Sequence, residues 1–122
     1  MLYRHYLDAK PIAMQGIGLK GVKKRILVGP LTGAPNFVIR IFTVEKNGYT
    51  PHHSHPYEHG IVILEGKGKA LMDDKELEIG AGCACTIAPN VPHQIVNNSD
   101  SDLVFICVVP AGADSDAIRN KS

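Results

Sequence analysis

The chain has 122 residues, 44% hydrophobic and 20% charged, a balance that suits one folded domain and excludes a disordered chain. A net charge of +1 leaves no electrostatic footprint for nucleic acid or an anionic membrane surface. No apolar run approaches the roughly 20 residues needed to span a bilayer.

In chain order, the opening MLYRHYLDAK lacks the basic-then-apolar layout of an export signal, so a cytoplasmic protein is expected. Residues 1–21 read as an N-terminal arm. KKRILVG, Lys23 to Gly29, is a short β-branched run closed by glycine and proline. NFVIRIFTVEKNG, Asn36 to Gly48, is a longer strand ending in the turn pair Asn47-Gly48. The apolar run Ile61 to Leu64 precedes Gly66 and Gly68, and ALMDDKELEIG predicts a hairpin turning at Asp73-Asp74. CACTIAP is a strand stopped by Pro89, and HQIVNNSDSDLVFICVVP is two strands about a polar turn, Asn97 to Asp102. Glycine (12) and proline (8) punctuate these runs, and many short strands without a long amphipathic helix predict an all-β sandwich or barrel. The expected core covers about 22–110, followed by a tail at 111–122 that is frayed or forms at most one helical turn. The three cysteines, Cys83, Cys85 and Cys107, are an odd number in a chain lacking an export signal. They argue against a disulfide framework and read most simply as small buried strand residues.

NGYTPHHSHPYEHG, Asn47 to Gly60, holds four of the six histidines. On a strand alternate side chains share a face, so His53 and His55 are expected to point together and His52 away from them. His59 has the parity of Ile61 and Ile63 on the next strand, and His93 opens a distant strand with Ile95 on its own face. Four imidazoles converging inside a barrel suit a first-row transition metal. The alternative is a set of solvated or core histidines that bind nothing.

These residues resemble the cupins, small β-barrels with one metal site, whose first motif reads G(x)5HxH(x)3–4E(x)6G. His53-Ser54-His55 stands at HxH, His59 at the glutamate and Gly66 at the closing glycine; Gly48 is one place from the opening glycine, a position held by Asn47. In the second motif, G(x)5PxG(x)2H(x)3N, Gly82, His93 and Asn97 are in register, while Ala88 replaces the proline and Asn90 the glycine. Asn90 is a mild change because asparagine tolerates the left-handed conformation. The resemblance implies a jelly-roll-like barrel over about residues 26–110. It also implies one divalent metal per chain on His53, His55, His59 and His93, as in the four-histidine subgroup of single-domain cupins. Manganese or iron is favoured; copper, nickel, cobalt and zinc also accept imidazole. Glu58 competes with His59, since Pro56 makes the local parity uncertain.

The same parity suggests an apolar cavity lined by Phe42, Ile61, Ile95, Phe105 and Cys107. Arg40 is either paired structurally or holds an anionic substrate; it and Cys107 are the candidate reactive residues in the pocket. Both faces of the strand containing Arg40 are apolar, which suggests cover by a second subunit and a homodimer. Tyr49 and Tyr57 read as rim residues, so no positioned acid or base is evident. A mononuclear metal oxygenase or related oxidoreductase is therefore expected, acting on a small, largely apolar molecule of aromatic or enol type. The alternatives are a metal-dependent isomerase or lyase of sugar or keto-acid type, and a non-enzymatic small-ligand-binding protein.

Overall fold

The computed structural model describes residues 3–118. Nine strands form one antiparallel sheet: β1 Ile12–Ala13, β2 Lys20–Val28, β3 Phe37–Tyr49, β4 His59–Glu65, β5 Lys67–Met72, β6 Lys75–Gly80, β7 Ala84–Ile87, β8 His93–Val96 and β9 Leu103–Pro110. No α-helix occurs among the described residues, so the all-β expectation is borne out. The order β6-β5-β8-β3-β9-β4-β7, with β2 also on β3 and β1 on β2, curls the sheet into a half-barrel.

Period-two patterning drives the curl. In β4, His59, Ile61 and Ile63 are buried while Gly60, Val62 and Leu64 face outward. In β9, Leu103, Phe105, Cys107 and Val109 are buried on the same inner side. Val38, Val44, Ile63 and Leu103 are at most 1% exposed, each contributing about 1.5–3 kcal/mol of transfer free energy.

Several boundaries differ from the sequence reading: β1 lies within the expected N-terminal arm, β2 starts at Lys20 rather than Lys23, and β4 starts at His59. β3 does not end at Asn47-Gly48 but continues to Tyr49, with Asn47 at φ 63° where the β2–β3 register shifts between Lys20 and Val22. The Asn-Gly pair serves as an irregularity inside a paired strand, and Tyr49 beyond it reaches β8 at Val96. Of the two readings of the tail, frayed or a helical turn, the structure has short turns, and they are packed as far as the tail is described. Short 3-10 turns at Ala111–Ala113 and Ser115–Ala117 bury Asp114 and Ala117; residues 119–122 lie outside the described residues. By contrast, the Asp73-Asp74 hairpin forms as the sequence implied.

Two of the motif positions with a positive φ are accounted for directly. Asn90 adopts φ 68°, the left-handed conformation its replacement of glycine required. Gly66 has φ +82°, and a Cβ there would run into the Asp102 carbonyl oxygen. Asn97, wholly buried, donates from Nδ2 to Val44 O and Ser101 O, both at 2.8 Å, and accepts from the Ser99 amide and hydroxyl. It therefore pins the β8–β9 connection to β3.

Candidate metal centre

His53 and His55 do not lie on a strand as expected. Between β3 and β4 only His53 pairs, through a β-bridge to His93 with N–H···O distances of 3.1 and 2.9 Å. Pro51 and Pro56 bracket the segment, and proline cannot donate to a ladder. The bridge nevertheless does what strand parity was meant to do. It sets the His53 and His93 rings 5.0 Å apart, with His55 4.1 Å from His53 and 5.2 Å from His93.

Ligand nitrogens of His53, His55 and His93 lie within 4.8 Å of one another. Imidazole nitrogens at about 2.0–2.1 Å from one ion stand at most about 4.2 Å apart, so binding asks for only a small closing motion. His93 is pre-set for it. Its Nδ1 lies 2.9 Å from Val91 O; a carbonyl only accepts, so Nδ1 carries the hydrogen and Nε2 keeps its lone pair.

The close group thus holds three of the four expected histidines. His59 opens β4 beside them, 7% exposed, its ring 4.9 Å from His55 and 5.1 Å from His93. Its Nε2 is buried without a hydrogen-bond partner, and its Nδ1 lies 3.3 Å from Cys107 Sγ. Neither His52 nor Glu58, both exposed, lines the cavity. Desolvation, aided by neighbouring imidazoles, lowers the pKa of His53 to about 4 and, with Arg40 also contributing, that of His59 to about 3; His55 is lowered for the same leading reason. All three rings are neutral at neutral pH, the form a metal takes up.

These histidines line a cavity of about 300 Å³. Phe42, Ile61, Ile95 and Phe105 line its apolar side, with the two phenyl rings stacked at 5.2 Å. Arg40 and Cys107 also line it, but Arg40 is not a free cation. Its Nη1 is 3.2 Å from Asp114 Oδ2, its Nη2 is 3.0 Å from Cys107 Sγ, and its guanidinium lies 4.9 Å from the Phe42 centroid. Of the two readings of Arg40, the observed contact is the structural ion pair.

Of the cavity's polar lining, the sequence indicated Tyr57 as a rim residue but not Lys24, Asp114 or Asp116. Lys24 Nζ bonds both carboxylate oxygens of Asp114, at 3.0 and 2.9 Å, and meets Asp116 at 3.0 Å. Lys24, Asp114, Asp116 and Tyr57 all line the cavity. Lys24 owes its place to the register: it pairs with inward-facing Phe42 between β2 and β3. Burial pushes the Tyr57 hydroxyl up, and also the Cys107 thiol, on which Arg40 acts in the opposite direction.

Residues 40–109 match the family model for the cupin domain, more than half of the chain, and the chain belongs to that family. It is 30% identical over 76 residues to 1-methylthio-D-xylulose 5-phosphate methylsulfurylase of Rhodospirillum rubrum, over 62% of this chain and 49% of the relative; the chain spans about half the length of that curated relative. Among solved structures it is similar to the polyketide cyclase RemF from Streptomyces resistomycificus, with a TM-score of 0.85 and 34% identity over 91% of this chain and 80% of that one. A predicted oxalate decarboxylase from Thermotoga maritima, 21% identical with a TM-score of 0.81 over 90% and 99% of the two chains, shares the fold. No helix among the described residues is long and apolar enough to cross a membrane.

Proposed function

We propose that the protein is a metal-dependent enzyme acting on a small, largely apolar carbonyl or enol compound as a cyclase, lyase or isomerase. The observation that carries this reading is the cavity's two-sided chemistry. A three-histidine cluster and a polar wall of Lys24, Asp114, Asp116 and Tyr57 share one small chamber. The similarity to a polyketide cyclase at 34% identity supports it, since a polyketide carries repeated carbonyl groups.

A divalent ion on His53, His55 and His93, with His59 as a fourth ligand, would supply Lewis acidity toward a carbonyl oxygen. Manganese or iron remains our choice of metal. The chain's own residues do the rest. Phe42, Ile61, Ile95 and Phe105 exclude water and hold a hydrocarbon skeleton. Tyr57, whose hydroxyl donates only a long 3.5 Å hydrogen bond to Ala113 O, is the hydrogen-bond donor at the cavity wall. Arg40 and Lys24 hold Asp114 in place; these two cations balance the carboxylates of Asp114 and Asp116, so the charge offered to a substrate is that of the ion on its neutral imidazoles, which suits an enolate oxygen.

The oxygenase expectation rested on four imidazoles amid apolar strand faces, with the lack of a positioned acid or base weighing against an isomerase; the polar wall weakens that second reason. The oxygenase stays as the second reading because the apolar side suits dioxygen chemistry equally. Metal-loaded protein should be given β-dicarbonyl and phenolic compounds while oxygen uptake and α-hydrogen exchange are followed together. Exchange or ring closure without oxygen uptake supports the proposal; turnover coupled to oxygen uptake overturns it in favour of the oxygenase.

We further propose a homodimer formed through the outer sheet face. Phe37, Val62, Leu64 and Val108 are 36–42% exposed there, and Val108 pairs with Gly60 of β4 and Ile39 of β3, making the patch continuous.

A further inference from the structure

Cys107 is the buried nucleophilic group that the proposed reaction leaves without a task. It is 2% exposed on β9, and its sulfur has two nitrogen neighbours: Arg40 Nη2 at 3.0 Å and His59 Nδ1 at 3.3 Å. Arg40 is in turn held by Asp114, and Asp114 by Lys24. A continuous chain of polar contacts therefore runs from the C-terminal segment through Arg40 and Cys107 to the ring of His59. The register places it there, since Cys107 pairs with both Arg40 of β3 and Ile61 of β4, two residues beyond His59.

We infer that Cys107 is a positioning residue whose sulfur accepts hydrogen bonds from Arg40 and from His59 Nδ1, fixing His59 as the tautomer whose Nε2 lone pair is free for a metal. This rests on the metal centre proposed above and adds a role for which that centre has no other residue. His93 has its tautomer set by a backbone carbonyl, and His59 has no carbonyl or carboxylate among its hydrogen-bond partners. Two physical arguments give the direction of the bond. The guanidinium can only donate, so the sulfur is already an acceptor toward Arg40. In the opposite arrangement the thiol would donate to Nδ1 and Nε2 would carry the proton, stranding a buried N–H with no partner; the arrangement inferred here strands only the thiol S–H, a weak donor whose loss costs less. An unpartnered Nε2 lone pair is what a metal ligand looks like before the ion arrives.

The test has two arms. Long-range 1H–15N NMR on metal-free protein with labelled histidine, the His59 signal assigned by its loss in His59→Gln, reads the tautomer directly. The expected result is a proton on Nδ1 in the wild type and in Cys107→Ser, and loss of that preference in Cys107→Ala. Cobalt titration, followed by the visible spectrum, should show affinity falling about tenfold or more in Cys107→Ala and recovering in Cys107→Ser. A proton on Nε2 of His59 in the wild type overturns the inference, as does cobalt affinity unchanged in Cys107→Ala. The NMR arm uses neither metal nor substrate, so it stands or falls separately from the reaction proposed above.

Discussion

His53 and His59 have folded-state pKa values of about 4 and about 3, against 6.5 for the free side chain. An imidazole depressed in this way binds fewer protons folded than unfolded. Stability of the metal-free protein is therefore highest above pH 6.5 and is lost as pH falls from 6.5 toward 4, because the unfolded state gains protons that the folded state refuses. The denaturant midpoint of metal-free protein should drop between about pH 7 and about pH 5, and His59→Gln should flatten that slope. His53 contributes less than its shift suggests, since it is exposed at the rim and water screens it. A midpoint constant across this range would contradict the burial assigned to His59. Residue by residue, the site was legible where a motif fixed it. His53, His55 and His93 come together, and Asn90 takes the left-handed backbone its place demanded. The tautomer of His93 was not legible, because it depends on the Val91 carbonyl, a contact no spacing rule encodes.

The strands were legible as elements because they obey local rules: alternation in β4 and β9, a two-residue turn between β5 and β6. What escaped were elements ordered by distant partners. The tail has a composition that reads as frayed or at most one helical turn, yet Asp114 is buried against Lys24, 90 residues earlier in the chain. Asn47-Gly48 has the signature of a hairpin turn, yet β2 pairs across it. The histidine loop failed in the other direction, since its alternation suggested a strand that Pro51 and Pro56 forbid. The tail gives a prediction at this scale. Asp114→Ala leaves Lys24 and Arg40 buried with a partner removed, and breaking such a pair costs about 3 kcal/mol or more. Urea unfolding should show that loss, and limited proteolysis should cut within residues 111–118 at a rate well above that of the wild type. A variant as stable and as resistant as the wild type would mean that the ion pairs do not hold the segment.

At the scale of the whole molecule, the half-barrel separates two surfaces. The concave side gathers the histidine cluster and the cavity. The convex side is covered in part by the chain itself, since Ile41 on that face is 2% exposed while Phe37, two turns of the pleat away, is 41% exposed. Doubly apolar β3 therefore needed an outside partner over only part of its length. If a second copy covers the remainder, light scattering should give twice the chain mass, and Val62→Glu should shift the protein to a monomer without lowering its strand content by circular dichroism. A wild-type monomer at all concentrations would remove the dimer and leave the cavity argument intact. That argument depends on one thing above all, that the histidine cluster holds an ion. Elemental analysis after reconstitution and extensive dialysis, on wild type and His93→Ala side by side, tests it most directly. The account predicts one divalent transition ion per chain in the wild type and a small fraction of that in His93→Ala; a wild type that retains no metal, or a variant that retains as much, would contradict it.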